Sequence, residues 1–280
     1  MVSAAALFSL MDAGIKLLAP HYPAMEVTAL RSLASLPLVY VFVLWRGSLG
    51  KLLQVRWPLH VLRGVLGIFM LSMFVFGVRQ LPLSQAYSIF FVAPLLITAL
   101  SAAVLGERVD AARWSAIAVG LAGVLVVLRP SGSGLLTAGG LAVLAAAVSY
   151  AISAIAIRVI GRTDTMESLM FWLISMLAFG STVLAWPNWL AVRPEDAWVI
   201  AGVGVTGFCG QYGVTYAFRH GEASAVAPFE YTALAWGLGL DRWIWHTTAD
   251  RYTLFGAAII ISSGLYLAQR ETVHAEAEHP

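Results

Sequence analysis

Long apolar runs alternate with short polar segments along almost the whole chain of 280 residues. Each run approaches the roughly 20 residues that an α-helix needs to cross a bilayer. We therefore predict an all-α polytopic membrane protein with ten transmembrane helices. The predicted spans cover residues 2–19, 25–45, 59–78, 84–105, 112–128, 136–157, 167–186, 196–218, 224–240 and 253–269.

The ten spans divide into two sets of five with an internal similarity. Met25-Glu26, at the start of the second span, recurs 141 residues later as Met166-Glu167, at the start of the seventh span. The turn-forming segment 129–134, which reads Arg-Pro-Ser-Gly-Ser-Gly, joins the two sets. Because each set has an odd number of spans, the second set is predicted to enter the membrane inverted relative to the first. The predicted units are residues 1–133 and residues 134–280, the second of which ends in a short polar tail.

Composition argues against a water-soluble domain. Hydrophobic residues make up 60% of the chain and charged residues only 11%, a balance typical of proteins whose solvent is the bilayer. Cys209 is the only cysteine, which excludes an intrachain disulfide and a thiolate metal cluster. The net charge of +2 reflects Lys and Arg residues that set the topology, so it does not indicate binding to nucleic acid.

The distribution of basic residues predicts the orientation. Nine Lys or Arg residues fall on the side of the two termini and five fall on the opposite side. Under the positive-inside rule, this excess places both termini in the cytoplasm. We therefore expect a multi-pass protein of the cytoplasmic membrane with both termini inside.

Four motifs are distributed over both halves of the chain. They are Leu105-Gly106-Glu107-Arg108 after a span with Pro94-Leu95, then Gly120 and Gly123 in the next span, Pro228-Phe229-Glu230-Tyr231-Thr232-Ala233-Leu234, and Gly264-Leu265-Tyr266. Together they resemble the EamA repeat of the drug/metabolite transporter superfamily. The resemblance implies two copies of five helices and a solute carrier with a central cavity between the copies. The second half departs from the pattern, because His246-Thr247 replaces the expected Gly-Glu and leaves Glu107 without a counterpart.

Five charged or strongly polar residues lie inside predicted spans and are candidates for a substrate site. They are Asp12, Lys16, Arg31, Gln211 and Glu230. A charge at the centre of a span costs about 2.5 to 3.5 kcal/mol, so such a residue normally faces a cavity or a partner. One interpretation joins Asp12 and Arg31 in a polar pair that binds substrate or closes the exit. In the alternative, Lys16 neutralises Asp12 four residues away, and the long side chain of Arg31 extends to the membrane surface.

Glu230 is the candidate for coupling transport to protons. No cation lies at helical spacing from it, and its side chain is too short to reach the membrane surface easily. Pro228 and Pro94 each remove a backbone donor, so we predict helix kinks that expose carbonyl groups to the cavity. Pro228 alternatively occupies the first turn of a helix, where proline is tolerated. Gln211 lies at a similar depth on a glycine-rich span and is predicted to bind the same substrate as Glu230.

Aromatic residues inside the spans complete the predicted substrate site. They include Tyr87, Phe91, Tyr150, Trp172 and Tyr231. Binding sites are mostly apolar, and aromatic faces attract cations. An aromatic cavity with a carboxylate and an arginine would suit an amino acid, an amino-acid derivative or a cationic amphipathic compound. The alternative for each aromatic residue is packing against lipid or in the protein core.

These features favour a secondary-active carrier that moves a small metabolite by alternating access. The predicted partners are the substrate, the lipid bilayer and, as a candidate coupling ion, protons; no cofactor or metal is predicted. The alternatives are a facilitative uniporter or channel-like permease and, less favoured, a polytopic membrane enzyme. The chain lacks Gly-x-Ser-x-Gly, histidines four residues apart and paired intramembrane aspartates, which argues against a hydrolase or a metal site.

Overall fold

The structure is a bundle of α-helices, and no β-strand occurs among the described residues. The computed structural model describes residues 1–81, 83–107, 110–128, 137–246 and 251–278. The α-helices are α1 (Val2–Leu18), α2 (Ala24–Trp45), α3 (Trp57–Gln80), α4 (Leu83–Phe90), α5 (Ala93–Leu100), α6 (Ala111–Leu128), α7 (Ala138–Ile160), α8 (Met166–Ala185), α9 (Ala197–His220), α10 (Ala223–Val226), α11 (Thr232–Ile244) and α12 (Arg251–Glu278). Short 3-10 turns lie at Leu49–Lys51, Trp186–Asn188, Pro194–Asp196 and Ala227–Tyr231, and a π-helical turn lies at Ser101–Leu105.

The helices follow the ten predicted spans, which confirms the all-α membrane fold. Eight spans are single helices, whereas α4, α5 and the π-helical turn form the fourth and α10, a 3-10 turn and α11 form the ninth. Five helical segments of the described chain are individually long and apolar enough to cross a membrane, namely Ala24–Trp45, Trp57–Gln80, Ala138–Ile160, Met166–Asn188 and Pro194–His220. The predicted join at 129–134 lies outside the described residues, as do Arg108 and Thr247 of the two loop motifs. The boundary between the two units therefore stays a prediction.

The two interrupted spans each contain one of the predicted kink prolines. The helix α4 ends at Phe90 and α5 begins at Ala93, which places Pro94 in the first turn of α5. Because proline has no backbone N–H, it cannot bond to the carbonyl of Phe90, four residues earlier. Pro228 lies in the 3-10 turn Ala227–Tyr231, directly after the four-residue helix α10. The backbone that carries Glu230 is therefore not α-helical.

The main helix pairs are exchanged between the two predicted units, so that each pair contains one helix from each unit. The first helix of each unit packs against the third helix of the other, as α1 does with α9 and α7 with α3. The second helices, α2 and α8, pack together, and so do the fifth helices, α6 and α12. This pairing is what a duplicated five-helix unit would produce around a two-fold axis. It brings the inner helices of both units to a common centre.

Glycines on α9 let that helix approach α1 and α2 closely. A methyl group added at Gly204 would lie 2.5 Å from the Cβ of Ala34, and one added at Gly213 would lie 2.8 Å from the Cβ of Ala4. Such distances are too short for a side chain, so these positions are restricted to glycine by packing. Gly202 differs, because no atom lies within 4 Å of a Cβ built there. The contacts of Gly204 and Gly213 therefore show that these glycines permit close helix packing.

Equivalent loop contacts join the helices at the two ends of the bundle. After α1, the Tyr22 hydroxyl donates a hydrogen bond of 2.7 Å to Asp196 at the start of α9. After α7, Asp164 accepts a hydrogen bond of 2.9 Å from the imidazole of His60 in the first turn of α3. These contacts lie near opposite ends of α2, whose 22 residues span about 33 Å. Among the described residues, a buried aspartate thus links the two units at each end of the bundle.

The motif loop after the fourth span binds the start of the ninth. Gly106 adopts the left-handed conformation, with φ 69°, and ends the π-helical turn. Glu107 then accepts hydrogen bonds from the backbone N–H groups of Ala223 at 3.0 Å and Ser224 at 3.1 Å. These two donors belong to the first turn of α10, so the carboxylate caps that helix. His246, 140 residues after Gly106, also has a positive φ, of 53°.

Candidate functional site

A cavity of about 140 Å³ lies between the two predicted units. Its walls come from α1, α2, α3 and α4 of the first unit and from α7, α8, α9 and the segment around Glu230 of the second. Seven of the nine predicted substrate-site residues line it, namely Asp12, Arg31, Tyr87, Phe91, Tyr150, Gln211 and Glu230. The interrupted helices and the exchange pairing therefore bring together residues that are more than 200 positions apart in sequence. Their role in substrate binding stays a prediction.

The first carboxylate of the cavity is held by a tyrosine. The hydroxyl of Tyr87, on α4, donates a hydrogen bond of 2.8 Å to Oδ2 of Asp12 on α1. The second oxygen of a carboxylate can accept further donors, so this bond orients Asp12 without using all of its capacity. Lys16, the predicted neutralising partner, places its ammonium 4.0 Å from the ring centroid of Trp245.

The second carboxylate has the same kind of partner from the other unit. The hydroxyl of Tyr150, on α7, donates a hydrogen bond of 2.8 Å to Oε1 of Glu230. Glu230 is 7% exposed, and no cation forms an ion pair with it in the part of the chain that the structure describes. Two tyrosine–carboxylate pairs, one from each unit, thus line a single cavity.

Arg31 contributes a positively charged side chain to the cavity. Its Nε donates to the sulfur of Met11 at 2.9 Å, and the guanidinium packs against Gly207 on α9. It is 7% exposed, and no ion pair within 4.0 Å joins it to Asp12 among the described residues. The two side chains therefore form no direct ion pair in this conformation, and their predicted joint role in substrate binding or closure of the exit stays a prediction. Both side chains remain available to a ligand, because a thioether is a weak acceptor and the bond from Tyr87 occupies only one of the two oxygens of Asp12.

Polar and aromatic groups fill the remaining wall. The side-chain amide nitrogen of Gln211 donates a hydrogen bond of 3.1 Å to the hydroxyl of Thr215 on the same helix. This bond fixes the orientation of the Gln211 amide. The rings of Phe90 and Tyr150 lie 5.4 Å apart, and those of Phe74 and Phe90 lie 5.6 Å apart. Such ring pairs give the cavity an apolar surface and restrict the side chains to few rotamers.

The structure does not bring Trp172 or Tyr231 to the cavity wall. Trp172 lies on a different crevice between α2 and α8, and its indole N–H donates to the carbonyl of Leu52 at 2.8 Å. Tyr231 is 2% exposed and packs against Phe91, with ring centroids 5.4 Å apart, and against Gly120. Both aromatic rings have the packing role that was the alternative interpretation.

Several wall residues were not predicted. The most prominent are Phe8, Met70, Phe74 and Ser153. Phe8 lies four residues before Asp12, so helical spacing from the charged residue was a usable signal for it. The α3 residues had no such signal, because α3 has no charge at the level of the cavity. Among the described residues, no group of three or more His, Cys, Asp or Glu side chains is placed to hold a metal ion.

Proteins similar to this chain over most of its length are named as transporters. The pseudopaline exporter CntI of Pseudomonas aeruginosa is 25% identical over 94% of this chain and 92% of its own length. The S-adenosylmethionine uptake transporter of Rickettsia prowazekii is 26% identical over 97% of this chain and 92% of its own length. The riboflavin transporter of Rhizobium johnstonii is 31% identical over 76% of this chain and 70% of its own length.

The fold and the family model agree with these similarities. A solved crystal structure aligns with a TM-score of 0.75 over 99% of both chains at 21% identity, which shows a shared fold. A model described as the EamA-like transporter family matches residues 1–129 and again residues 137–268. Together with the named relatives, these matches indicate a membrane transporter of small metabolites. The chain belongs to the EamA-like transporter family.

Proposed function

We propose that this protein is a secondary-active carrier that moves a small zwitterionic or amphipathic metabolite by alternating access. The observation that carries this proposal is the central cavity, which combines two tyrosine-held carboxylates and one arginine with aromatic walls. An amino acid or amino-acid derivative presents a cation to Asp12 or Glu230 and a carboxylate to Arg31. The inverted units rock around this site, so that it faces first one side and then the other.

We propose Glu230 as the residue that binds the coupling proton. It is a buried carboxylate without an ion-pair partner among the described residues, and its one bonded oxygen accepts from a neutral hydroxyl. A protonated carboxyl is compatible with this environment because a buried charge is costly. Substrate cations and protons then compete for the same group, which is a simple basis for exchange of one against the other.

Ligand binding tests the proposed function first. Purified protein is screened by thermal unfolding with S-adenosylmethionine, riboflavin, aromatic amino acids and cationic amphipathic drugs. A compound that binds the folded state at about 100 times its dissociation constant stabilises it by about 2.7 kcal/mol. Stabilisation by zwitterionic or cationic compounds, reduced in the Arg31→Gln and Glu230→Gln variants, is the expected result.

Transport by proteoliposomes tests the mechanism. Saturable uptake of the stabilising compound, inhibited by a related compound, supports a carrier, whereas ohmic current without saturation supports a channel-like permease and contradicts the proposal. Glu230→Gln is expected to abolish the dependence of uptake on a pH gradient while keeping exchange of substrate. If the dependence of uptake on the pH gradient is unchanged, Glu230 is not the coupling residue. The proposal of proton coupling is then replaced by facilitated transport, in which Glu230 only binds the substrate.

We also propose that both termini face the cytoplasm, in the cytoplasmic membrane. The excess of Lys and Arg on the side of the termini supports this orientation. A protease site added before Met1 is expected to be cut in inverted vesicles and protected in intact spheroplasts. The opposite pattern would reverse the assignment.

A further inference from the structure

Arg63 is a fully buried cation that the cavity does not include. It lies on α3, is 1% exposed, and is among the largest completely buried side chains. One nitrogen, Nη1, donates to the carbonyl of Leu169 on α8 at 3.3 Å. Its Nε and Nη2 have no hydrogen-bond partner among the described residues. Because a guanidinium is always charged and has five donor hydrogens, most of its binding capacity is unused.

The acidic groups near this end of α3 are already bound elsewhere. Asp164 accepts from His60 at 2.9 Å, from the backbone N–H of Arg56 at 3.1 Å and from its neighbour Thr163 at 2.7 Å. Glu167, in the first turn of α8, accepts from the Nε of Arg46 at 3.0 Å. No ion pair within 4.0 Å joins Arg63 to a carboxylate in the described part of the chain. A buried charge in this situation is unfavourable unless another state provides an anion.

The position of Arg63 identifies where such an anion would come from. Gly67 on α3 and Leu173 on α8 both line the cavity. Arg63 and its acceptor Leu169 lie four residues earlier on the same two helices, about 6 Å along the helix axis. The two helices meet closely there, because a Cβ added at Gly67 would lie 3.3 Å from Leu173. Arg63 thus occupies the next turn of the same helix–helix seam, between the cavity and the end of the bundle that carries His60 and Asp164.

We propose that Arg63 is a second anion-binding residue of the transport path. It pairs with an acidic oxygen group of the substrate when α3 and α8 separate between the cavity and the end where both helices begin. This inference rests on the proposed alternating access, since the seam is packed in the present conformation. It also narrows the substrate class: with Arg31 in the cavity and Arg63 beyond it, the transported compound carries at least one carboxylate or phosphate group.

The single cysteine of the chain allows a clean test of this proposal. In a Cys209→Ser background, Leu173→Cys introduces one thiol into the cavity wall, one turn from the acceptor of Arg63. The protein in lipid nanodiscs is treated with an anionic sulfonatoethyl methanethiosulfonate and, separately, with its cationic trimethylammonioethyl analogue. Reaction rates are measured by mass spectrometry of the intact protein. Gly67→Cys provides a second thiol position on the opposite helix, for use where the first variant does not fold.

The ratio of the anionic to the cationic reaction rate is the readout. A guanidinium presented to the path raises this ratio, so Arg63→Gln is expected to lower it about fivefold, from the Coulomb energy of partly screened charges a few ångströms apart. Arg63→Lys is expected to retain most of the ratio. Arg56→Gln, an exposed arginine at the same end of α3, is the matched control and is expected to change it little.

The outcomes separate this proposal from the proposed function. A reactive thiol whose rate ratio is the same with Arg63 and with Arg63→Gln overturns the anion-binding role and leaves the carrier mechanism intact. A thiol that reacts with neither reagent at both positions overturns both, because the cavity then does not open to water. Loss of the ratio in Arg56→Gln as well as in Arg63→Gln assigns the effect to surface charge and also overturns the role of Arg63.

Discussion

At each end of the bundle, a hydrogen bond joins the first helix of one unit to the third helix of the other unit. The residues that form this bond differ between the two ends. At one end, Asp196 before α9 accepts a hydrogen bond from the neutral hydroxyl of Tyr22, after α1. At the other end, the aspartate follows the first helix of its unit instead, and Asp164 accepts from the imidazole of His60 at the start of α3. The donor and the acceptor have thus exchanged sides between the two units. The repeat has kept the position of the contact and has not kept the residues that make it.

The surroundings of the two aspartates also differ. Asp164 is 3% exposed and has three hydrogen-bond donors, including the backbone N–H of Arg56. Asp196 is 8% exposed; it accepts from Tyr22, and the imidazole of His21 lies 3.6 Å away. The end with Asp164 should therefore be the more strongly joined, and the difference between the ends is measurable.

The largest expected effect is the loss of Asp164. Asp164→Ala leaves the imidazole of His60 and the backbone N–H of Arg56 without this acceptor, and each donor that is buried without a partner costs about 1 to 3 kcal/mol. Asp196→Ala is expected to cost about 1 to 2 kcal/mol, because it removes one side-chain hydrogen bond, from the hydroxyl of Tyr22. The free energy of unfolding is measured by reversible SDS titration in mixed micelles. Equal losses for the two variants would remove the proposed difference between the ends.

A smaller effect is expected from Glu107, which strengthens the end that contains Asp164. Glu107→Gln keeps one acceptor oxygen but loses the charge that binds the N–H groups of Ala223 and Ser224, so about 1 to 2 kcal/mol should be lost. Glu222→Gln is the matched control, since its contact with Arg113 is exposed and such pairs contribute about 0 to 1 kcal/mol. The same SDS titration compares the two variants. A loss from Glu222→Gln as large as that from Glu107→Gln would contradict the capping role.

The hydroxyl of Tyr22 should contribute about 1 kcal/mol to the other end. It donates to Asp196 and also accepts from the backbone N–H of Arg193 at 3.0 Å, and Tyr22→Phe removes both bonds while keeping the ring. Tyr40→Phe, on an exposed ring of α2, serves as the control and should leave the free energy of unfolding unchanged. If Tyr22→Phe were also neutral, packing of the ring rather than its hydroxyl would join this end.

The order and type of the helices could be predicted from the sequence, because long apolar runs directly report membrane spans. The position of Asp12, Arg31 and Glu230 at one cavity was also predictable in outline, since charged groups inside spans require a polar environment. The contacts between His60 and Asp164 were not predictable, because each residue lies near a span end and only the exchange of helices between units brings them together. The same limit applies to Trp172. Its depth in the membrane could be predicted from its position in the span, but the direction of its side chain depends on which helix packs beside it.

The smallest expected effect is a pH dependence that differs between the two ends. Hydrogen bonds from Thr163, His60 and the N–H of Arg56 outweigh burial and lower the pKa of Asp164, whereas burial raises the pKa of Tyr22. A carboxyl with a lowered pKa stabilises the fold above its ordinary pKa of about 4, and this contribution is lost as the pH falls further. A phenol with a raised pKa stabilises it below about pH 10, and this contribution is lost as the pH rises.

Thermal unfolding over a pH series checks these opposite windows. The stability difference between the wild type and Asp164→Asn should shrink in acid, and that between the wild type and Tyr22→Phe should shrink in alkali. Between the acid and the alkaline ranges, each stability difference is expected to stay constant. The exception is the pH range in which His60, which faces Asp164, becomes protonated. Differences that shrink together at the same end of the pH range would show that the two ends open as one unit, and the contrast between their contacts would then have no separate effect on the fold.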